Sequence, residues 1–408
     1  MEYIKLKELC TIKHGYAFKG QYISQDENNS ILVTPGNFHI GGGFKDDKCK
    51  YYLNEDDIPE EYILNEGDLI VTMTDLSKEA DNLGYSALVP RNKNKKYLHN
   101  QRIGLIQNLK EDILNKDYLY WYLRTEKYHN EIVATSTGTT VHHTSPDRIL
   151  NIRIPIYDLT TQIKIATILN LIDKKIKLND HTNNNLYEIL DNIFKEKYLN
   201  NERYDLWEEV TLDDITSKFA TGLNPRKNFV LGHGSNYYVT IKNMQNNDVI
   251  LNDKCNKVDD EAILKINKRS DLKVGDLLFS GIGTIGRVYL IKDFPYNWNI
   301  SESIFTIRPN EKCSSEFLYL LLLNKNMQNY AVNKASGSVQ KGIRMADLKQ
   351  FKLKLPTKNE MQSFTDIIKP IIDRIYNKTK QNENLEQIRD TLLPKLMNGE
   401  IDLAKIEI

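Results

Sequence analysis

Gln162-Ile163-Lys164-Ile165-Ala166-Thr167-Ile168-Leu169-Asn170-Leu171-Ile172-Asp173 decides the fold, because the chain writes this stretch twice. Apolar residues continue at Leu186, Ile189, Leu190, Ile193, Phe194 and Tyr198. Their steps of three and four place them on one stripe of a long helix. Near the C-terminus the pattern returns as Gln362, Phe364, Ile367, Ile368, Ile371, Ile372, Asp373, Ile375 and Tyr376, then Leu385, Ile388, Leu392 and Leu396. Matching Gln162 with Gln362 and Asp173 with Asp373 sets the copies 200 residues apart, close to half of the 408-residue chain. The chain reads as a tandem duplication in which each unit ends in a long amphipathic helix.

A helix of about 40 residues spans roughly 60 Å, far more than one globule needs. Packed on its own domain alone, it would leave much of its apolar stripe in water. Two such helices at equivalent places can cover each other as an antiparallel coiled coil, with the two units related by a pseudo-twofold axis. The alternative is that each helix folds back on its own globule. Lys177–Asn185 is a polar, Asn-rich interval. Pro370 is expected to break the second helix, leaving it continuous only from Ile371 to Leu396.

Working outward, the segments before each helix echo one another. Ile4–Leu9 and the turn at Lys13-His14-Gly15 correspond to Val210–Ile215 and Thr221-Gly222. Leu32-Val33-Thr34-Pro35-Gly36-Asn37 corresponds to Tyr238-Val239-Thr240-Ile241-Lys242-Asn243. Gly67-Asp68-Leu69-Ile70-Val71 and Gly275-Asp276-Leu277-Leu278-Phe279 are Gly-Asp turns feeding short strands. A further strand is expected at Gly84–Val89 and at Gly286–Ile291, and Asn100–Ile103 stands where Ser301–Ile304 stands. Helical segments at Asp117–Tyr128 and Ser315–Tyr330 lead to small-residue loops at Ser136–Thr140 and Ser336–Ser338. A last strand ends at Pro155 or Pro356. The fold class is α+β: a mixed α/β unit plus a long helix, built twice, with Asn200-Asn201-Glu202-Arg203 as the clearest boundary.

Composition bounds the function. Forty per cent hydrophobic and 27% charged residues is ordinary for a soluble protein. There is no run of about 18 apolar residues for a membrane span and no signal-peptide layout, which points to the cytoplasm. Cys10, Cys49, Cys255 and Cys313 lack Cys-x-x-Cys spacing, so they read as buried or incidental thiols and no metal site is expected. Lys+Arg and Asp+Glu balance at 55 each, which argues against a general polyanion binder but leaves room for local patches.

The sequence shows no catalytic constellation. Gly281-Ile282-Gly283-Thr284-Ile285-Gly286 matches G-x-G-x-x-G, yet Arg287-Val288-Tyr289-Leu290-Ile291 follows as a strand, where a dinucleotide site needs a helix N-terminus. A glycine-rich hairpin is expected instead. Asn224-Pro225-Arg226-Lys227 is not an adenine-methyltransferase motif, and Pro146-Asp147 lacks the acidic-x-Lys strand of a nuclease. His142 and His143 are adjacent, so a strand would point them to opposite faces.

What remains is hydrogen-bonding loop chemistry in both units. The candidates are Lys13, His14, Tyr16, Lys19, Asn37, Thr74, Gln101, Arg102, Thr139, His142 and His143 in the first. In the second they are Arg226, Lys242, Asn243, Arg287, Ser338, Gln340, Lys341 and Arg344. Arg, Lys, Asn and Gln can read base edges, while Ser and Thr hold phosphates. The alternative for Asn37, Asn243, Gln101 and Glu302 is to satisfy backbone groups inside the fold.

With these features assembled, the chain resembles the specificity subunits of type I restriction-modification systems over essentially its whole length. The residues that carry the resemblance are Ile152-Arg153-Ile154-Pro155 and Leu353-Lys354-Leu355-Pro356, each leading into its helix, and the ending Leu392-Leu393-Pro394-Lys395-Leu396-Met397-Asn398-Gly399-Glu400-Ile401. His14-Gly15-Tyr16-Ala17-Phe18 and Gly67-Asp68-Leu69-Ile70 look like parts of the family's target-recognition domains. The resemblance implies target-recognition domains at 1–157 and 201–357, a central spacer helix at 158–200, and a C-terminal spacer helix and tail at 358–408. It implies that each domain reads one half of a bipartite site in double-stranded DNA, and that the two domains, being unlike, read an asymmetric site. Ile165, Ile168, Ile172, Ile193, Ile368, Ile372, Ile375 and Leu392 on the helices are then the expected docking residues for two modification (methyltransferase) subunits. No catalytic residue and no cofactor is implied in this chain. S-adenosylmethionine, ATP and Mg are expected in the modification and restriction (translocase/nuclease) partners. The rival readings are a protein–protein scaffold without nucleic acid and an enzyme with a dispersed active site.

Overall fold

The computed structural model describes residues 2–403 apart from 47, 48, 93, 139, 338 and 339. The chain forms two compact units, Met1–Lys177 with Asn382–Ile408, and Leu178–Gln381. Both long helices are therefore divided: each contributes one half to each unit.

In the first unit, Glu2–Lys5 pairs antiparallel with Arg153–Ile156, closing the unit just before the central helix begins. A four-stranded antiparallel sheet has the order Thr11–His14, Ile103–Gln107, Leu69–Thr72, Ser86–Leu88. A five-stranded sheet runs Ile23–Ser24, Lys50–Tyr52, Ser30–Val33, Lys96–His99, Ile63–Leu64, with one parallel pair at its centre. Ser30–Val33 and Leu69–Thr72 are buried throughout, which is why Ile31-Leu32-Val33 and Leu69-Ile70-Val71 are unbroken apolar runs.

The second unit repeats the plan. Glu208–Thr211 pairs with Lys352–Leu355, and the four-stranded sheet is Thr216–Thr221, Ile304–Pro309, Leu277–Ser280, Val288–Leu290. Its other sheet keeps the parallel pair, Asn236–Val239 with Trp298–Ile300. A helix, Asp260–Ser270, stands in the stretch where the first unit has short turns and the strand Ile63–Leu64. In both units the helical segment expected as one piece is two helices, Lys116–Tyr122 and Glu126–Ala134, then Ser315–Leu323 and Lys325–Lys334. The break is side-chain capping: Thr125 Oγ1 and Asn324 Oδ1 accept from the first turn of the second helix and start it anew.

The strand register corrects the spacing of the repeat. Glu2 faces Ile156 and Glu208 faces Leu355, so equivalent positions before the helices lie 199 apart, not 200. Gln162 then matches Met361, and both are buried, whereas Gln362 is exposed. Pro155 lies within its strand and Pro356 beyond the end of Lys352–Leu355, so these prolines are not equivalent. The matching polar letters are coincidences across two faces of the helix; burial sets the true register.

The central helix runs Leu159–Phe194 and ends in a π turn, Lys195–Leu199. The C-terminal helix runs Lys358–Met397 without interruption, which corrects the expected break at Pro370. Pro370 and Asp366 are both exposed, so the carbonyl deprived of its N–H partner faces water and the ring meets no packed neighbour. Within the first unit the helix halves run antiparallel: Ile165 and Leu169 share a core with Leu393, Leu396 and Met397, Arg389 stands 3.7 Å from Asp173, and Asn382 Nδ2 donates to Ile176 O at 3.3 Å. Within the second unit Phe194 meets Phe364, Asn183 Nδ2 donates to Thr379 at 3.3 Å and Asn179 Nδ2 to Gln381 at 2.9 Å.

Each half also packs on its globule, so the two packing alternatives coexist. Gln162 binds Asn115 N, Ile113 O and Tyr157 O, all at 2.8 Å. Trp121 Nε1 donates to Asn170 at 2.7 Å, and in the second unit Trp207 Nε1 donates to Glu360 at 3.0 Å. Among the described residues no helix is long and apolar enough to cross a membrane.

Candidate nucleic-acid interface

Glycine at position 15 lets the first strand of the four-stranded sheet cross the end of Lys96–His99: a Cβ there would stand 2.0 Å from Asn100 O. Gly222 does the same over Ile300 O, at 1.7 Å. The crossing delivers Tyr16 beside Gln101, with Tyr16 N bonded to His99 O at 2.8 Å and Gln101 N to Tyr16 O at 2.9 Å. Next along, Met73 N bonds Arg102 O at 2.9 Å and Thr144 N bonds Met73 O at 3.0 Å. His142 and His143 form a short strand opposite Asp75 and Thr74. The structure therefore brings Tyr16, Gln101, Arg102, Thr74, His142 and His143 into one run of neighbouring loops. Gln101 and Arg102 are exposed, and among the described residues neither side chain has a partner. The two histidines do point apart: His142 Nε2 lies 3.1 Å from Lys78 O, and His143 Nδ1 lies 3.1 Å from Thr74 Oγ1.

In the second unit the loops at 241–244 and 341–343 converge on the glycine-rich segment. Residues 281–286 close an antiparallel hairpin between Leu277–Ser280 and Val288–Leu290, so the segment opens no helix and offers no dinucleotide site. Gly283 N bonds Lys341 O at 2.8 Å and Ile343 N bonds Gly281 O at 2.9 Å. Arg287 Nη1 donates to Ile241 O at 2.7 Å and to Met244 O at 2.5 Å. Lys242, Gln340, Lys341 and Arg344 are left exposed around this junction, and Arg226 is exposed on the neighbouring loop. Among the described residues none of the four cations Arg226, Lys242, Lys341 and Arg344 has an ion-pair partner. Such donors suit the acceptor-rich edges of bases and phosphate oxygens.

Other sequence candidates have structural duties instead. Asn37 is buried; its Oδ1 accepts from Thr34 N at 2.8 Å and its Nδ2 donates to Lys45 O at 3.2 Å. Asn243 repeats this, accepting from Thr240 N at 2.9 Å and donating to Cys255 Sγ at 2.9 Å. Cys49 lies 3.7 Å from Asn37 Nδ2, so each unit has an Asn and a Cys twelve residues apart fastening one loop. That spacing was the signal by which two of the four cysteines could have been matched. Thr74 is buried, with its hydroxyl 3.1 Å from His143 Nδ1, and Arg287 spends Nη1 on two backbone carbonyls. Lys13 is held by Glu61, with Nζ 2.7 Å from Glu61 O and 4.3 Å from the centre of the Tyr62 ring. Lys19 pairs with Asp57 at 2.8 Å; that hydrogen bond raises the ammonium pKa and lowers the carboxyl's. His14 is exposed at a strand end. Thr139 and Ser338 lie outside the described residues.

Glu302, at the place of Gln101, binds side chains and not the backbone. It accepts from Asn224 Nδ2 at 2.6 Å and Tyr238 OH at 3.0 Å. Burial first, and then this carboxylate, push the Tyr238 phenol far up. On the helices, Ile165, Ile368, Ile372 and Ile375 are core residues, which corrects their expected role as a docking surface; Ile168, Ile172, Ile193 and Leu392 are half-buried. The apolar helix positions left open are Ile163, Leu171, Leu178, Ile189, Ile367 and Ile388. Ile189, Ile367 and Ile388 belong to the apolar stripe in the sequence, and exposure alone separates them from the core positions beside them.

Comparison with known proteins adds the following. The family described as the type I restriction modification DNA specificity domain matches twice, at residues 1–188 and 204–387. The chain is 24% identical over 323 residues to the MjaIX specificity subunit of a type I restriction enzyme from Methanocaldococcus jannaschii, covering 74% of this chain and 73% of that one. It is 23% identical over 432 residues to the EcoBI specificity subunit from Escherichia coli, covering 98% and 85%. In fold it is similar to the crystal structure of the S subunit of a type I restriction-modification system from M. genitalium, with a TM-score of 0.59 at 15% identity over 97% of this chain and 95% of that one.

Proposed function

This chain belongs to the type I restriction-modification DNA specificity family, and on that premise we propose that each unit reads one half of an asymmetric, interrupted DNA site. The observation that carries the reading is the set of exposed donors, unpaired among the described residues, gathered at one loop junction: Lys242, Gln340, Lys341 and Arg344 in the second unit. In the first unit the exposed donors are Gln101 and Arg102, bonded through their backbone to the Tyr16 and Met73 loops. A scaffold without nucleic acid would leave these charges unexplained. The reading residues differ between the units, so the half-sites differ.

The long helices would act as the spacer. The central helix alone has 36 residues, about 54 Å at 1.5 Å per residue. Joining two weak readers through a stiff link makes the second contact effectively intramolecular and rejects half-sites at the wrong distance. The open apolar positions Ile163, Leu171, Ile189, Ile367 and Ile388 would dock two modification subunits. This chain takes no bond-breaking step. Methyl transfer to adenine N6, with S-adenosylmethionine, belongs to the modification subunits, and ATP- and Mg-dependent translocation and cleavage to the restriction subunits, all in the cytoplasm. The test is a genome-wide map of N6-methyladenine in the source cell with and without this gene. Loss of one asymmetric interrupted motif supports the reading; an unchanged map in cells whose modification subunit is expressed and active overturns it.

A further inference from the structure

The two units differ in length at one loop of the candidate interface. Gly84 N bonds Thr72 O at 3.1 Å, and Gly286 N bonds Ser280 O at 3.0 Å, so these bonds close equivalent loops. Between them lie residues 73–83 in the first unit and 281–285 in the second, six fewer. The longer loop is fastened from within. The buried Asp75 carboxylate accepts from Ser77 N at 2.8 Å and from Asn82 N. Ser77 Oγ accepts from Asp81 N at 2.9 Å, and His142 Nε2 lies 3.1 Å from Lys78 O. Ala80 and Leu83 anchor it in the core.

Against this fastening, Leu76 stands 62% exposed. It directly follows the two residues paired with His142 and His143, and Met73, three residues before it, is bonded to Arg102. An apolar side chain held in water on a pinned loop gains only when a ligand covers it. Beside exposed donors suited to base edges, the apolar group available in the major groove is the 5-methyl of thymine.

We propose that residues 73–83 form a base-reading finger of the first unit, and that Leu76 contacts the 5-methyl group of a thymine in that unit's half-site. The proposal rests on the DNA-reading function above. The hydrogen-bond donors beside it, Arg102 foremost, would read the polar edges of the same or adjoining pairs.

The test uses the complex of the full chain with its modification subunits, on duplexes carrying the mapped site, with each thymine of the half-site replaced in turn by uracil, which lacks the methyl. At one position uracil should slow methylation about four-fold, the worth of one buried methyl group. Leu76→Ser should erase that difference at that position alone, and Leu76→Met should restore it. The half-site read by the second unit serves as the internal control and should respond alike in all three proteins. If no thymine shows the effect, or if Leu76→Ser keeps it, the assignment is overturned. If the wild-type complex methylates no interrupted site at all, the function beneath it falls instead.

Discussion

Asp276 and Asp68 occupy the same Gly-Asp turn in the two units, and replacing each by asparagine should have very different consequences. Asp276 is 1% exposed and takes a two-pronged contact from Arg308, Nε to Oδ1 at 2.7 Å and Nη2 to Oδ2 at 2.9 Å. It also accepts from Lys273 N at 2.8 Å, which shapes the turn. Hydrogen bonding to Asp276 is the main reason that the Arg308 pKa is raised. Asp68 makes the turn bond to Asn65 N at 2.8 Å, but Gln107 stands where Arg308 would be. Breaking a buried pair by neutralising one partner costs about 3–5 kcal/mol. The Arg308 side chain is 22% exposed and keeps Asp271 at 3.3 Å, so about 2–3 kcal/mol is the figure for Asp276→Asn. Asp68→Asn loses one half-exposed hydrogen bond, below about 1 kcal/mol. With a urea slope of about 1–3 kcal/mol per molar, Asp276→Asn should lower the midpoint of the second unit by about 1 M. Urea unfolding of the full chain followed by fluorescence reads this directly, since Trp207 and Trp298 lie in the second unit and Trp121 in the first. Equal destabilisation by the two substitutions, or none by Asp276→Asn, would refute the reasoning.

Two further outcomes are expected. Pro370→Ala should raise stability by about 1–3 kcal/mol, because alanine supplies the missing N–H on an exposed turn and has the higher helix propensity; a thermal melt that does not rise would show that the helix is built around the proline. Burial pushes the His99 imidazole down from 6.5 to about 4, and its Nε2 donates to Ile103 O at 2.8 Å. As pH falls from 6.5 towards 4 the unfolded chain takes up a proton that the folded chain refuses, so stability present above 6.5 is progressively lost. The loss by pH 4 is about 3 kcal/mol, and urea midpoints at pH 7 and pH 5 should converge in His99→Gln relative to the wild type.

The architecture was legible because it is written in periodicity and turn chemistry, and written twice. Gly67-Asp68 and Gly275-Asp276 each precede a buried strand, and Arg287–Ile291 after the glycine-rich segment already excluded a helix there. The one-residue error in the repeat arose because Gln162/Gln362 and Asp173/Asp373 match as letters, while only burial distinguishes the faces they occupy. The site was legible in part. A polar loop residue looks alike in sequence whether it turns outward, as Lys242 and Arg102 do, or bonds its own backbone, as Asn37 and Asn243 do. Arg287 escaped for the same reason: its charge suggested a ligand, and the carbonyls of Ile241 and Met244 took it. Leu76 carried no signal at all, since an isolated leucine in a loop is ordinary until its exposure is known.

The measurement that tests the central claim most directly exchanges residues 1–157 for the equivalent domain of another member of the family and maps N6-methyladenine in cells expressing the chimera with the modification subunit. The account predicts a new interrupted motif in which one half has changed, the other half is intact and the gap between them is kept. A motif changed in both halves, or in neither, would contradict it.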